Sequence, residues 1–204
     1  MIKKIFTTIL ASLLLLSVAG EASAQSSIGG GYLNSRYNMS YDGVTMTMTG
    51  QGAYAGISGC LWLPVRGLYL ESGAYWNYAK VDIFDSVATA DLHYVSVPIR
   101  FRYEYQFTYD YSVFLSAGPS ASYRLSDKLS FQDGETKVSD GTAFFGDNAR
   151  KLNFQAGFEV GFKLFKHLQI KGGYDWGLMN LVADNSDGAS MRLDNLHAGI
   201  AYQF

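Results

Sequence analysis

Glu159, Lys171, Asp175, Asn195 and His197 occupy polar positions of alternating segments toward the end of the chain. Hydrolysis or acyl transfer at such groups would need a nucleophile within hydrogen-bond reach of a base. The other histidines are His93, at a strand start, and His167, in a short turn. His93 and Ser96 are three residues apart and would point to opposite faces of a strand. Asn195 and His197 share a face, but no Ser or Cys nucleophile accompanies them. The single Cys60 excludes an internal disulfide, and no His stands at metal spacing from it. The expectation is therefore no catalytic residue, no cofactor and no metal, with these polar groups serving some other purpose.

The elements that carry them are strands. Residues 152–165, LNFQAGFEVGFKLF, alternate strictly between apolar and polar or glycine, the mark of a strand with one apolar face. Similar segments cover about 27–38, 51–63, 68–81, 92–107, 111–125, 168–181 and 193–204. Their connections alternate. Short ones lie at 64–67, 108–110 and 166–167, and longer ones at about 39–50, 82–91, 126–151 and 182–192. Short turns at one end and long loops at the other is the arrangement of a membrane barrel with periplasmic turns and extracellular loops.

Two other features set the compartment. Lys3 and Lys4 precede an apolar stretch from Ile5 to about Val18, and Ala22-Ser23-Ala24 forms a small-x-small cleavage site. Residues 1–24 read as a secretory signal that is removed, leaving 25–204 as one barrel domain of 204 − 24 = 180 residues. Removing Lys3, Lys4 and Glu21 leaves 14 basic against 17 acidic groups, the wrong sign for nucleic-acid binding.

The polar faces decide between a soluble barrel and a membrane barrel. They carry Gly56, Gly73, Gly118, Gly157, Gly161, Gly173, Gly177 and Gly199 among single charges, a mixture suited to a narrow interior. The other faces are aliphatic and aromatic over about ten residues, enough to cross a bilayer when tilted. Phe154, Phe158, Val160 and Phe162 would face lipid, and so would Ile200, Tyr202 and the terminal Phe204. The fold expected is all-β, an eight-stranded antiparallel up-and-down transmembrane barrel.

Eight strands leave an interior just wide enough for side chains to fill. The inward set comprises Arg36, Glu71, Arg100, Arg102, Glu104, Arg124, Glu159, Lys163, Lys171, Asp175 and His197, six cations against four anions besides His197. Unpaired charges there are costly, so Glu159 is expected to meet Lys171 or Arg124, and Glu71 to meet Arg100 or Arg102. A charge-lined ion path is the alternative use of the same residues. Pro98 and Pro119 fall inside adjacent strands, where β-bulges or bends are expected.

LHYVSVPIRFRYEYQF (92–107) resembles a strand signature of the PorT-like group of Gram-negative outer-membrane barrels, often labelled "porin family". Tyr94, Val95, Val97, Pro98, Ile99, Phe101 and Tyr103 match it, and FLSAGPSASYRL (114–125) resembles the strand that follows. The resemblance implies an outer-membrane location and a shared fold, with no catalytic residues to carry over. Ile200, Tyr202 and Phe204 resemble the C-terminal signal read by the barrel assembly machinery. Other expected partners are outer-membrane lipid, lipopolysaccharide and an envelope or host-surface molecule. Such a molecule would meet the long loop 126–151 through Phe131, Phe144 and Phe145. A structural or interaction role follows, with a narrow porin-like channel as the alternative.

Overall fold

The computed structural model describes residues 24–83, 88–133, 136–143, 149–182 and 189–204. The expected signal segment lies outside them apart from Ala24. The described chain forms nine strands: β1 (Ala24–Tyr41), β2 (Val44–Trp62), β3 (Leu68–Ile83), β4 (Ala88–Thr108), β5 (Tyr111–Asp133), β6 (Thr136–Ala143), β7 (Leu152–Leu164), β8 (Leu168–Gly177) and β9 (Ser190–Gln203). Eight of them close an antiparallel barrel, in which β1 pairs with β2 and β9, and β5 pairs with β4 and β7. β6 folds back only against the outer part of β5. No described helix is long and apolar enough to cross a membrane, which leaves the crossing to strands.

Alternating burial shows which side chains fill the barrel. On β7, Gln155 and Glu159 are buried, whereas Phe154, Phe158, Val160 and Phe162 are exposed. The exposed face is the apolar one, so it is the face that meets lipid. Aromatics cluster toward the periplasmic turns, including Trp62, Tyr105, Tyr109, Phe165 and Tyr202. Trp76 and Trp176 stand exposed farther toward the long connections.

Three details depart from the sequence reading. The expected long connection at 39–50 is strand, and β1 turns into β2 through Asp42-Gly43 alone. Both turn residues have positive φ, 46° and 76°, the primed turn that two-residue hairpins favour. The alternating Met and Thr residues from 45 to 49 extend β2 well past the lipid face. Likewise, the first part of the expected 126–151 loop extends β5, and Thr136–Ala143 returns along it as β6.

Of the bulges or bends expected at the prolines, no bulge is found. Pairing is interrupted beside Pro98 and Pro119, yet the register is the same on either side of each. A missing donor removes bridges without inserting a residue. Register shifts occur elsewhere, at His93/Tyr94 and Gln106/Thr108.

Candidate functional site

The interior is layered, and single strands show the order. From the long-connection end, β4 turns Ala90, Leu92, Tyr94, Ser96, Arg100, Arg102 and Glu104 inward, running from apolar through hydroxyl to charge. β9 likewise begins apolar, with Met191 and Leu193, then turns Asn195, His197, Ala201 and Gln203 inward. Strand alternation fixes which residues enter, and the cross-strand register fixes which meet.

The central layer is built on Glu159. Its carboxylate is buried and accepts from Arg100 Nη1 at 3.3 Å and Lys171 Nζ at 3.3 Å, with His197 Nε2 at 3.2 Å. Arg100 Nη2 also donates to Asp175 Oδ1 at 2.7 Å, and His197 Nδ1 lies 3.6 Å from Asp175 Oδ2. Lys171 is also near the Tyr75 hydroxyl, at 3.4 Å.

The layer nearer the periplasm is built on Arg102, which lies over the Phe114 ring at 3.5 Å. It donates to Glu104 at 3.2 Å, and Glu71 stands 3.8 Å away, paired by charge beyond hydrogen-bond length. Glu104 also accepts from Ser112 at 2.7 Å and forms an ion pair with Lys163. The buried thiol of Cys60 lies 3.7 Å from Arg102. Gly161 is required here because a Cβ would overlap the Phe114 ring. Gly161→Val is expected to destabilise the folded barrel by about 1–3 kcal/mol through overpacking. Reversible urea unfolding in lipid vesicles would measure that loss.

Toward the extracellular end, amides and hydroxyls take over. Ser35 and Tyr94 donate to Asn195 Oδ1 at 2.8 and 3.2 Å, and Gln155 donates to the Leu193 carbonyl at 2.9 Å. Above them Tyr37, Val81, Leu92, Leu181, Met191 and Leu193 form a buried apolar cluster across the mouth. The sequence reading missed this cluster, along with the inward Phe114. Its signal was present in the apolar residues that continue in inward phase on β4 and β9.

Ten of the eleven expected interior residues lie inward, and Arg36 does not. It is exposed on the outer face, because Leu33, Ser35 and Tyr37 take the interior phase of β1. Arg124 is displaced from Glu159 and instead lies 3.8 Å from Asp127, donating to the Ala149 carbonyl at 3.3 Å. Asp127 enters the interior because the register shift leaves Leu125 unpaired, so Ser126 faces His93 and Asp127 faces Leu92. With Arg36 removed, six cations become five; with Asp127 added, four carboxylates become five. Besides His197, the interior charge of the described residues balances.

Between the central charges and the tyrosines lies a cavity of about 40 Å³, bordered by Tyr54, Arg100, Glu159, Lys171, Asp175 and His197. Ile200, Tyr202 and Phe204 point outward and are exposed. The Phe131 side chain, Phe144 and Phe145 lie outside the described residues. His93 stacks on Trp76 at 5.5 Å and lies tilted against Tyr78 at 5.1 Å on the outer face, while His167 stacks on Tyr202. Among the described residues His93 makes no side-chain hydrogen bond to Ser126, its register partner.

A closed antiparallel barrel with a charged, filled interior and an apolar exterior is an integral outer-membrane protein of a Gram-negative envelope. The family described as outer membrane protein beta-barrel domain matches residues 21–183, and the chain belongs to it. Among curated proteins, no relative matches in sequence. Solved structures similar to it include Ail, the attachment invasion locus protein of Yersinia pestis. Ail is 15% identical with a TM-score of 0.45, covering 90% of this chain and 100% of that one. Neisserial surface protein A is 13% identical with a TM-score of 0.45, at 91% and 99% coverage. The outer membrane enzyme PagL is 12% identical with a TM-score of 0.45, at 84% and 98% coverage.

Proposed function

We propose that this protein is a closed, non-enzymatic anchor whose work is done at its extracellular end. Its role is structural or interactive, in envelope integrity, adhesion or partner docking. The observation that carries this reading is the filled lumen, with five paired cations beneath an apolar cluster across the mouth. The segment 126–151, which carries Phe131, Phe144 and Phe145 and includes the β5–β6 hairpin, is the proposed contact surface for an envelope or host-surface molecule. Residues 1–24 are removed on export, and Ile200, Tyr202 and Phe204 are read by the assembly machinery. Within its family the chain belongs to the PorT-like group, a reading that the resemblance of the residues from Tyr94 to Tyr103 supports.

A narrow ion path is the second reading, favoured by the charged border of the central cavity. The loop role is tested by replacing residues 131–145, which include all three phenylalanines, with a short turn in a strain lacking the protein. The shortened barrel is expected to accumulate in the outer membrane without restoring detergent resistance or adhesion. Full restoration would contradict the reading.

A further inference from the structure

Arg36 and Arg192 stand together on the outer face, where a membrane barrel ordinarily presents apolar groups. In the β1–β9 register Arg36 faces Asp194 and Asn38 faces Arg192, so the two arginines are diagonal neighbours. Diagonal positions lie about 7–8 Å apart, within reach of long side chains. Both arginines are exposed.

Their level in the membrane follows from the strands. On β9 the outward series runs Phe204, Tyr202, Ile200, Ala198 and Leu196 before it becomes Asp194 and Arg192. Those first nine residues are close to the roughly 9–11 that cross a bilayer, so the charges begin at its outer edge. Aromatics mark the same height: Tyr174 donates to Asp194 Oδ2 at 3.1 Å, and Trp176 packs against Tyr174. Tyr and Trp gather at membrane–water interfaces.

Asp194 does not consume the arginines. Its Oδ1 accepts from the Gly177 amide at 2.8 Å, and its Oδ2 accepts from Asn38 at 2.9 Å besides Tyr174. Among the described residues, neither arginine has a carboxylate at ion-pair distance. Two guanidiniums and one carboxylate leave one net positive charge facing the outer-leaflet headgroups. The register on the far side repeats the arrangement, with Asp91 between Lys80 and Lys128 and Tyr78 donating to Asp91 at 2.6 Å.

We propose that Arg36 and Arg192 form a clamp for a phosphate group of an outer-leaflet glycolipid. Guanidinium suits phosphate because its planar fork donates two parallel hydrogen bonds. This inference rests on the outer-membrane location and is independent of the loop role. Its test is native mass spectrometry of the folded barrel with diphosphorylated lipid A and with the same lipid after phosphatase treatment.

Arg36→Gln with Arg192→Gln is expected to weaken binding of the phosphorylated lipid by about ten-fold or more. Binding of the dephosphorylated lipid should be unchanged. Lys166→Gln, at a periplasmic turn, should bind like the parent. Heat-modifiable gel mobility confirms that each variant is folded, and Arg36→Lys with Arg192→Lys provides a charge-retaining comparison if the glutamines misfold. Equal affinity of parent and double variant would overturn the proposal. So would complete displacement of the lipid by millimolar inorganic phosphate, which would mark a site for free anions.

Discussion

Glu159→Leu is expected to lower the unfolding free energy of the barrel by about 3–5 kcal/mol, the cost of breaking a buried ion pair from one side. Glu159 is the shared acceptor of Arg100, Lys171 and His197. Arg100 and His197 would keep Asp175 as a partner, whereas Lys171 would lose its only carboxylate among the described ion pairs. The penalty should therefore trace mainly to Lys171. Glu159→Leu combined with Lys171→Met should recover much of it, because an apolar replacement of a whole buried pair is often neutral. Reversible urea unfolding in phospholipid vesicles measures all three variants. A double variant as damaged as Glu159→Leu would mean that the network acts through Arg100 instead.

Val160→Arg tests the opposite face of the same strand. Val160 is 45% exposed and lies beside Leu115 on β5, 55% exposed, away from both ends of β7. An arginine near the bilayer midplane of a barrel costs about 2–4 kcal/mol, falling to about 0–1 kcal/mol near the interfaces. Leu178→Arg, just beyond β8, should therefore cost far less. The same vesicle titration compares them. Equal costs at both positions would mean that the exposed apolar face is not in lipid.

The two variants probe what the sequence made legible. Alternation placed Phe154, Glu159 and Val160 on their faces because a strand has a two-residue period and this one has no interruption. Arg36 was misplaced because alternation in β1 is diluted by glycine and asparagine, so its phase follows from pairing with β9. Asp127 was illegible for a different reason: a single unpaired residue, Leu125, reverses the phase beyond it. Asp42-Gly43 was readable as a hairpin turn and the Met–Thr alternation after it as strand, but neither showed that the strands continue beyond the membrane. The balance of interior charge needed both corrections, since each concerns one residue whose face depends on long-range register.

Closure of the lumen is the central claim, and conductance of the purified, folded protein in planar lipid bilayers tests it most directly. Paired charges around Glu159 and the apolar cluster of Tyr37, Leu92 and Leu193 predict a membrane that stays electrically silent after insertion. A large, steady ohmic conductance for each inserted barrel would contradict it.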